Sequence, residues 1–281
     1  MSSSTLHITN GDFTTNYLKK LNYSGDFITW REMLSEGKTT TDVGSEAFWK
    51  NRFEFFKTSY KVSKQKFISY TLKEYRNLCN KKSNKEIVLW FEHDLFCQIN
   101  MLAVLSWLNR YRKGHHISLI CSGKIGDSNK MYSISELNKT QINNHFKNRV
   151  SLSQDDIEYA DYIWQLYCSD SPLRLEAVYK FNPMSPFHYL ATAIEAHLQR
   201  FPAIKNGLNS IENSILKTTQ SKTFTSKKEL ISKLITEQKV YGLGDLQYEH
   251  YIDTLKPLFN SFNPVKLSKK GKQVLENQLN F

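Results

Sequence analysis

Cysteine is scarce in this 281-residue chain, and long apolar runs are missing. The four cysteines lie far apart and form no Cys-x-x-Cys pair, which favours reduced thiols in a cytoplasmic protein over a disulfide framework or a zinc site. The longest apolar stretch, Leu95 to Leu108, is interrupted by polar residues and is shorter than the roughly 18 residues that a membrane helix needs. The N-terminus has no basic segment followed by an apolar one, so we expect neither a signal peptide nor membrane association.

Glycine-rich phosphate-binding motifs are also missing. Gly11 is not part of a Gly-x-Gly-x-x-Gly fingerprint, and Lys124 lacks the glycines that precede the lysine of a P-loop. Both motifs need those glycines so that the backbone can approach the phosphates closely. The sequence therefore has no signature of a dinucleotide-binding or P-loop protein.

Basic residues, in contrast, are abundant and unevenly placed. The formal net charge is +11, and residues 57–85 hold nine lysines and arginines against the single acid Glu74. Residues 200–281 are a second basic block. Such surfaces attract polyanions, including nucleic acid and phosphorylated ligands. The alternative is a lysine-rich, solvated surface that serves solubility alone.

Hydrophobic patterning predicts an α/β fold in the N-terminal half, with a mainly parallel sheet and flanking helices. The clearest strand is the apolar run 86–91, which is typical of a buried parallel strand, and an amphipathic helix follows it at 95–112. The pattern divides the chain into an α/β domain (1–128), a helical region packing on it (129–202) and a helical, winged-helix-like module (203–281). A short helix is also expected directly after the second strand, ending near Gly37.

Polar residues cluster where the predicted strands end. Ligands of parallel α/β sheets bind at the carboxyl ends of the strands, so we expect these side chains to converge on one edge. Besides the acids and His93, we predict ligand contacts there for a further set of residues. This set is Asn10, Gly11, Arg31, Glu32, Arg52 and Ser122.

The acids of this cluster carry the chemical prediction. Several neighbouring carboxylates repel unless a cation, a shared proton or a basic side chain offsets their charge. Asp12, Glu92 and Asp94 are the predicted metal ligands, and their oxygen atoms suit Mg²⁺ or Mn²⁺. Asp12, His93 and Asp94 are the predicted catalytic residues, with His93 as proton carrier. The alternative is that Asp12 and Asp94 only cap the helices that follow them.

Six segments occur in an order that resembles a known bacterial family. They are Leu6 to Asp12, Trp30 to Gly37, Leu89 to Leu95 followed by Gln98, His197 to Pro202, Asn206 to Glu212 and Leu243 to Asp245. Together they resemble the family called domain of unknown function 1835 over nearly the whole chain. The resemblance implies a bacterial, cytoplasmic protein with an α/β N-terminal half and a helical C-terminal half, but no established reaction. Where relatives often have an acid, this chain has Cys97.

Three functional hypotheses follow. The first is a cation-assisted hydrolase or transferase acting on a phosphorylated or nucleotide-like substrate. The second is a regulatory or nucleic-acid-binding protein that uses its basic C-terminal module. The third is a non-catalytic adaptor. The expected partner is an anionic small molecule or nucleic acid.

Overall fold

The computed structural model describes residues 5–126, 130–178 and 185–281. The chain forms two compact units, Met1–Ala191 and Thr192–Phe281. The predicted domain boundary between residues 128 and 129 lies outside the described residues. The three-part division of the chain stays a prediction.

The first unit is built on a five-stranded, mainly parallel sheet, which confirms the predicted fold class. The strand order is β2-β1-β3-β4-β5; the first four strands are parallel, and β5 runs antiparallel to β4. The apolar residues of the central strand β3 are fully buried because helices cover both faces. The strands are β1 (Thr5–Asn10), β2 (Asp26–Trp30), β3 (Glu86–Glu92), β4 (His116–Ser122) and β5 (Val150–Ser151).

Nine α-helices of the described chain begin in this unit. They are α1 (Asp12–Lys20), α2 (Glu46–Tyr60), α3 (Lys64–Phe67), α4 (Lys73–Asn80), α5 (Leu95–Tyr111), α6 (Lys139–Lys147), α7 (Gln154–Tyr167), α8 (Pro172–Val178) and α9 (Leu190–Leu198). A π-helical turn, Ile68–Leu72, joins α3 to α4. Helix α5 is the most buried of them and packs on α7, because its apolar residues surround the whole helix rather than one face.

The strand order reverses between β1 and β3. The chain leaves β1 through α1 towards β2 on one side, then crosses to β3 and continues through α5 to β4 on the other. Right-handed crossovers place α1 and α5 on opposite faces of the sheet. Leu18 of α1 accordingly packs against Val88 and Trp90 of β3. The carboxyl ends of β1 and β3 thus form the topological switch point, where such sheets open a crevice.

The second unit contains helices α10 (Ser210–Ser221), α11 (Lys227–Glu237), α12 (Asp245–Thr254) and α13 (Lys269–Leu275). The strands β6 (Phe259–Phe262) and β7 (Val265–Leu267) form an antiparallel hairpin. Phe224, between α10 and α11, adds an antiparallel bridge to Val265. These helices confirm the predicted helical C-terminal region; its winged-helix-like character stays a prediction.

Two local predictions differ from the structure. No helix forms between β2 and α2, where residues 31–45 adopt turns and extended backbone, because buried Arg52 binds several carbonyls of this segment. The short edge strand β5 was not predicted, since two residues carry no periodicity. No described helix combines the length and the apolar character that crossing a membrane requires.

Candidate functional site

The carboxyl ends of β1 to β4 lie along one edge of the sheet because these four strands are parallel. Asn10 at the end of β1 pairs with Trp30 of β2, and Glu92 at the end of β3 pairs with Ser122 of β4. The residues predicted at the strand ends therefore lie along this edge. Their side chains fall into separate groups, which differ in burial and in partners.

Asp12 and Arg31 form an exposed ion pair beside β1 and β2. The Arg31 guanidinium donates Nε and Nη2 to the Asp12 carboxylate at 2.9 and 2.7 Å, and Nη1 donates to the Tyr70 carbonyl at 2.8 Å. The Asp12 side chain is 52% exposed. Among the described residues, Asp12 is not part of a group with metal-ligand spacing. The structure therefore pairs Asp12 with Arg31 and does not group it with Glu92 and Asp94.

Glu32 and Arg52 form a second ion pair, which is completely buried. Arg52 Nε donates to Glu32 Oε2 at 2.7 Å, and the guanidinium also donates to the carbonyls of Met33 and Glu36 at 2.9 and 2.7 Å. Burial raises the pKa of Glu32, while the charge of Arg52 opposes that rise. Because Arg52 is 0% and Glu32 1% exposed, neither side chain can reach a ligand at the surface. Their role is to fix the segment after β2.

Glu92 ends β3, Asp94 follows it, and both carboxylates accept hydrogen bonds from backbone N–H groups. Glu92 Oε1 accepts from the N–H of Ile134 at 2.7 Å. Asp94 is the N-cap residue of α5, and its Oδ1 accepts from the N–H of Cys97 at 2.8 Å. The predicted capping role of Asp94 is therefore real. Each carboxylate still has a second oxygen, so these bonds do not by themselves exclude a ligand.

Cys97 is the residue at this edge that the site prediction missed. It lies in the first turn of α5, is 5% exposed, and its Sγ accepts a hydrogen bond from Asn10 Nδ2 at 2.9 Å. Asn10 is held in turn by Asn100, whose Nδ2 donates to Asn10 Oδ1 at 2.8 Å. The available signal was spacing, because a residue three positions after an N-cap faces back towards the capping side chain.

Glu92, Asp94 and Cys97 together have the spacing of a metal site. One ligand atom from each residue lies within 4.8 Å of the other two. Burial, followed by the nearby charges of Asp94 and Glu92, raises the pKa of the Cys97 thiol well above its usual value. Burial also raises the pKa of Asp94, against the hydrogen bond from the Cys97 N–H. A positive charge placed between the two groups would favour their ionised forms.

His93 and Ser122 lie further along the same edge and are both buried. The His93 ring contacts Tyr189 edge-on, with centroids 6.0 Å apart. Gly123 follows Ser122, and a Cβ there would come within 2.2 Å of the Tyr189 ring, so glycine permits this aromatic ring to approach β4. The Ser122 hydroxyl makes no hydrogen bond to any residue that the structure describes.

Gly11 gives the backbone a sharp bend between β1 and α1. Its φ of +89° lies in the region that favours glycine. No atom lies within 4 Å of a Cβ built there, so the space beside this bend is open. The N-terminus of α1 has no side-chain cap, and the first N–H groups of a helix have no partner within the helix.

Comparison with models of protein families finds none that matches the chain, and comparison with curated proteins finds no match.

Proposed function

We propose that the chain binds a divalent cation through Glu92, Asp94 and Cys97 and uses it as a hydrolase or transferase on a phosphorylated or nucleotide-like substrate. The single observation that supports this is the spacing of three buried or half-buried ligand atoms within 4.8 Å at the switch point of a parallel sheet. A bound cation offsets the mutual repulsion of these groups and favours the thiolate and carboxylate forms.

The thiol changes the expected metal. Two carboxylates alone favour Mg²⁺ or Mn²⁺, whereas a thiolate is a soft ligand that favours Zn²⁺. Three protein ligands also leave one position of a tetrahedral Zn²⁺ site for water or substrate. We therefore propose Zn²⁺ with the ligand set Glu92, Asp94 and Cys97, in which Cys97 replaces the originally predicted Asp12.

Substrate recognition is assigned to the open side of the edge. The bend at Gly11 and the uncapped N-terminus of α1 provide backbone N–H groups for an anionic oxygen. Arg31, the cationic contact predicted from the sequence, already binds the Asp12 carboxylate and the Tyr70 carbonyl, so only the backbone N–H groups are assigned to the anion. His93, beside the metal ligands, is the proposed proton carrier.

The direct test is titration of the chelator-treated protein with Zn²⁺, Mn²⁺ and Mg²⁺ by calorimetry. We expect one Zn²⁺ per chain, and Cys97→Ser should weaken binding at least about tenfold, since even indirect partners of metal ligands carry that much affinity. Cys168→Ser is the matched control, because Cys168 also has a pKa raised by burial, to about 12, but lies outside the ligand group. Absence of Zn²⁺ binding, or equal affinity of the two variants, would contradict the site.

Catalysis is tested separately with a panel of phosphate esters and nucleotides in the presence of the bound metal. We expect activity that is lost in Glu92→Gln and Cys97→Ser and kept in Cys168→Ser. If the metal binds but no ester is cleaved or transferred, the site is structural rather than catalytic.

We also propose that the chain is a bacterial, cytoplasmic relative of the domain of unknown function 1835 family. The support is the order of the six sequence segments and the state of the cysteines, all four of which are free thiols. Free thiols fit a reducing compartment.

A second candidate function is contact with nucleic acid through the C-terminal unit. The observation that favours it is a row of exposed lysines on β7 and α13: Lys266, Lys269, Lys270 and Lys272. Such a row suits phosphate contacts that do not read sequence. The third helix of the unit, α12, carries three acids and no lysine or arginine.

A further inference from the structure

A pocket of about 400 Å³ opens at the edge of the sheet opposite to the candidate metal site. Its lining residues come from α4, the end of α5 and the loops that lead into β3 and β4. The volume falls within the range of about 300–1,000 Å³ that is usual for small-molecule sites. The lining includes Tyr75, Lys82, Trp107, Tyr111, Arg112 and His115.

Aromatic rings form one part of this pocket. Trp107 lies 6.1 Å from Tyr75 in an edge-to-face contact and 5.2 Å from Tyr111, measured between ring centroids. The Tyr111 side chain is 47% exposed, although a tyrosine normally buries most of its ring when it serves packing alone. An exposed aromatic ring inside a pocket offers a face on which a planar group can stack.

Cationic groups form the other part. Arg112 is 6% exposed, and it binds the carbonyl of Leu78 at the end of α4 at 2.8 Å. Its Nε is buried and has no hydrogen-bond partner among the described residues. Lys82 is exposed at the pocket and forms no ion pair with a described acid. Among the described lining residues, none is acidic, so an anion meets no repulsion there.

A neighbouring pocket, which shares Trp107 and Tyr111 with the first, differs in the charged residues that line it. It is lined by Asp42 and Asp161, and its Arg110 is paired with Asp42. Lys113 also lines this pocket, so two basic residues stand against two acids there and the formal charges cancel. An anion is therefore favoured in the first pocket and not in the second.

We propose that the pocket lined by Tyr75, Trp107, Tyr111, Arg112, His115 and Lys82 binds a nucleotide, with the base stacked on Tyr111 and the phosphate near Lys82. Stacking on an aromatic side chain together with a nearby basic group is the combination that binds bases without reading their sequence. The nucleotide is either free or part of a single strand, since both present the same base and phosphate. This site is separate from the proposed metal site and does not depend on it.

The test is calorimetric titration of the full chain with adenosine 5′-monophosphate in a buffer containing a chelator, so that no bound cation contributes to phosphate binding. We expect the monophosphate to bind more tightly than adenosine or inorganic phosphate alone. Tyr111→Ala should weaken binding about 5- to 150-fold, which is the effect of removing one stacking side chain. Tyr111→Phe keeps the ring and should keep most of the affinity. Lys82→Ala should lower the affinity for the monophosphate but not the affinity for adenosine.

Tyr162→Ala is the matched control, because Tyr162 is 51% exposed on α7 and does not line the pocket. Equal binding by the Tyr111→Ala and Tyr162→Ala variants, or no saturation at millimolar monophosphate, would overturn the proposal. A twelve-residue deoxythymidine strand is then added as a competitor. If it displaces the monophosphate and binds more tightly, the pocket binds single strands. If it does not displace the bound monophosphate, the pocket binds free nucleotides. Loss of monophosphate binding in Tyr111→Ala and loss of Zn²⁺ binding in Cys97→Ser concern residues at opposite ends of the strands, so the two results are read independently.

Discussion

The buried pair of Glu32 and Arg52 concerns stability rather than ligand binding. Both side chains are almost completely inaccessible, and the guanidinium is bound to the carboxylate and to carbonyls of the segment after β2. Sequence alone could not separate this role from anion binding, because an arginine in an apolar helix fits both. Burial decides between them.

We expect Glu32→Gln to lower the free energy of unfolding by about 3–5 kcal/mol, because it leaves the Arg52 charge buried without its partner. Chemical denaturation followed by circular dichroism measures this. The double variant Glu32→Gln/Arg52→Met removes both charges together. Its loss in free energy of unfolding should therefore be smaller than the sum of the losses in the two single variants. Simple additivity of the two losses would show that the pair is not coupled.

His197 provides a prediction of acid sensitivity. Burial, and then the positive charge of Arg200, lowers its pKa from 6.5 to about 4. Between pH 6.5 and about 4 the unfolded chain therefore binds a proton that the folded protein does not, so stability falls as the pH is lowered through this window. The full effect amounts to up to about 3 kcal/mol. Denaturation at several pH values gives the free energy of unfolding of wild type and of His197→Gln. The difference between the two should change with pH across this window. His250→Gln, at an exposed histidine, is the control and should keep the pH dependence of the wild type.

At the scale of the element, the N-terminus of α5 combines two roles in Asp94. The carboxylate caps the helix through the N–H of Cys97 and is also one of the three ligands of the proposed metal site. The two interpretations of the sequence, a cap or a site, are therefore compatible in one residue. Substitutions that differ only in charge can separate them.

We expect Asp94→Asn to change the free energy of unfolding by less than about 0.5 kcal/mol, because asparagine caps a helix about as well as aspartate. Asp94→Ala should cost about 0.5–2 kcal/mol, because it removes the cap. Both variants should lose Zn²⁺ affinity, since neither supplies a carboxylate. If Asp94→Asn binds Zn²⁺ like the wild type, Asp94 is a cap only.

The elements that the sequence predicts well are those whose patterns are local. The uninterrupted apolar run of β3 and the capping residue before α5 determine their structures without distant partners. The two-residue strand β5 and the turns after β2 depend on pairing with β4 and on buried Arg52, which lie far away in the sequence. Cys97 was missed although its spacing from Asp94 is local. Its contact with Asn10, in contrast, forms only when β1 lies beside β3.

At the scale of the whole molecule, acidic and basic side chains lie at opposite ends of the strands in the sheet of the first unit. The carboxyl ends of the strands hold the acids that suit a cation, and the opposite edge holds the lysine and arginine that suit an anion. The net charge of +11 therefore does not describe either site.

In the second unit, too, acidic and basic residues lie on different elements. If the unit is a winged-helix module, α12 is the helix that it would direct towards DNA. This helix, Asp245–Thr254, contains three acids and no lysine or arginine, and its exposed apolar residue is Leu246. Acids facing phosphates repel them, so α12 is poorly suited to enter a groove. Any contact with duplex DNA is instead expected from the lysines of β7 and α13.

We therefore expect the full chain to bind a 20-base-pair duplex without sequence preference and with an affinity that falls steeply with salt. Lys269→Glu/Lys270→Glu should weaken this binding and reduce the slope of log affinity against log salt by about 2, because two phosphate contacts are lost. Leu246→Ala on α12 should leave both the affinity and the slope unchanged. Fluorescence anisotropy at several salt concentrations measures these quantities. Sequence-specific binding that is lost in Leu246→Ala and kept in the double lysine variant would instead identify α12 as the recognition helix, despite its acids.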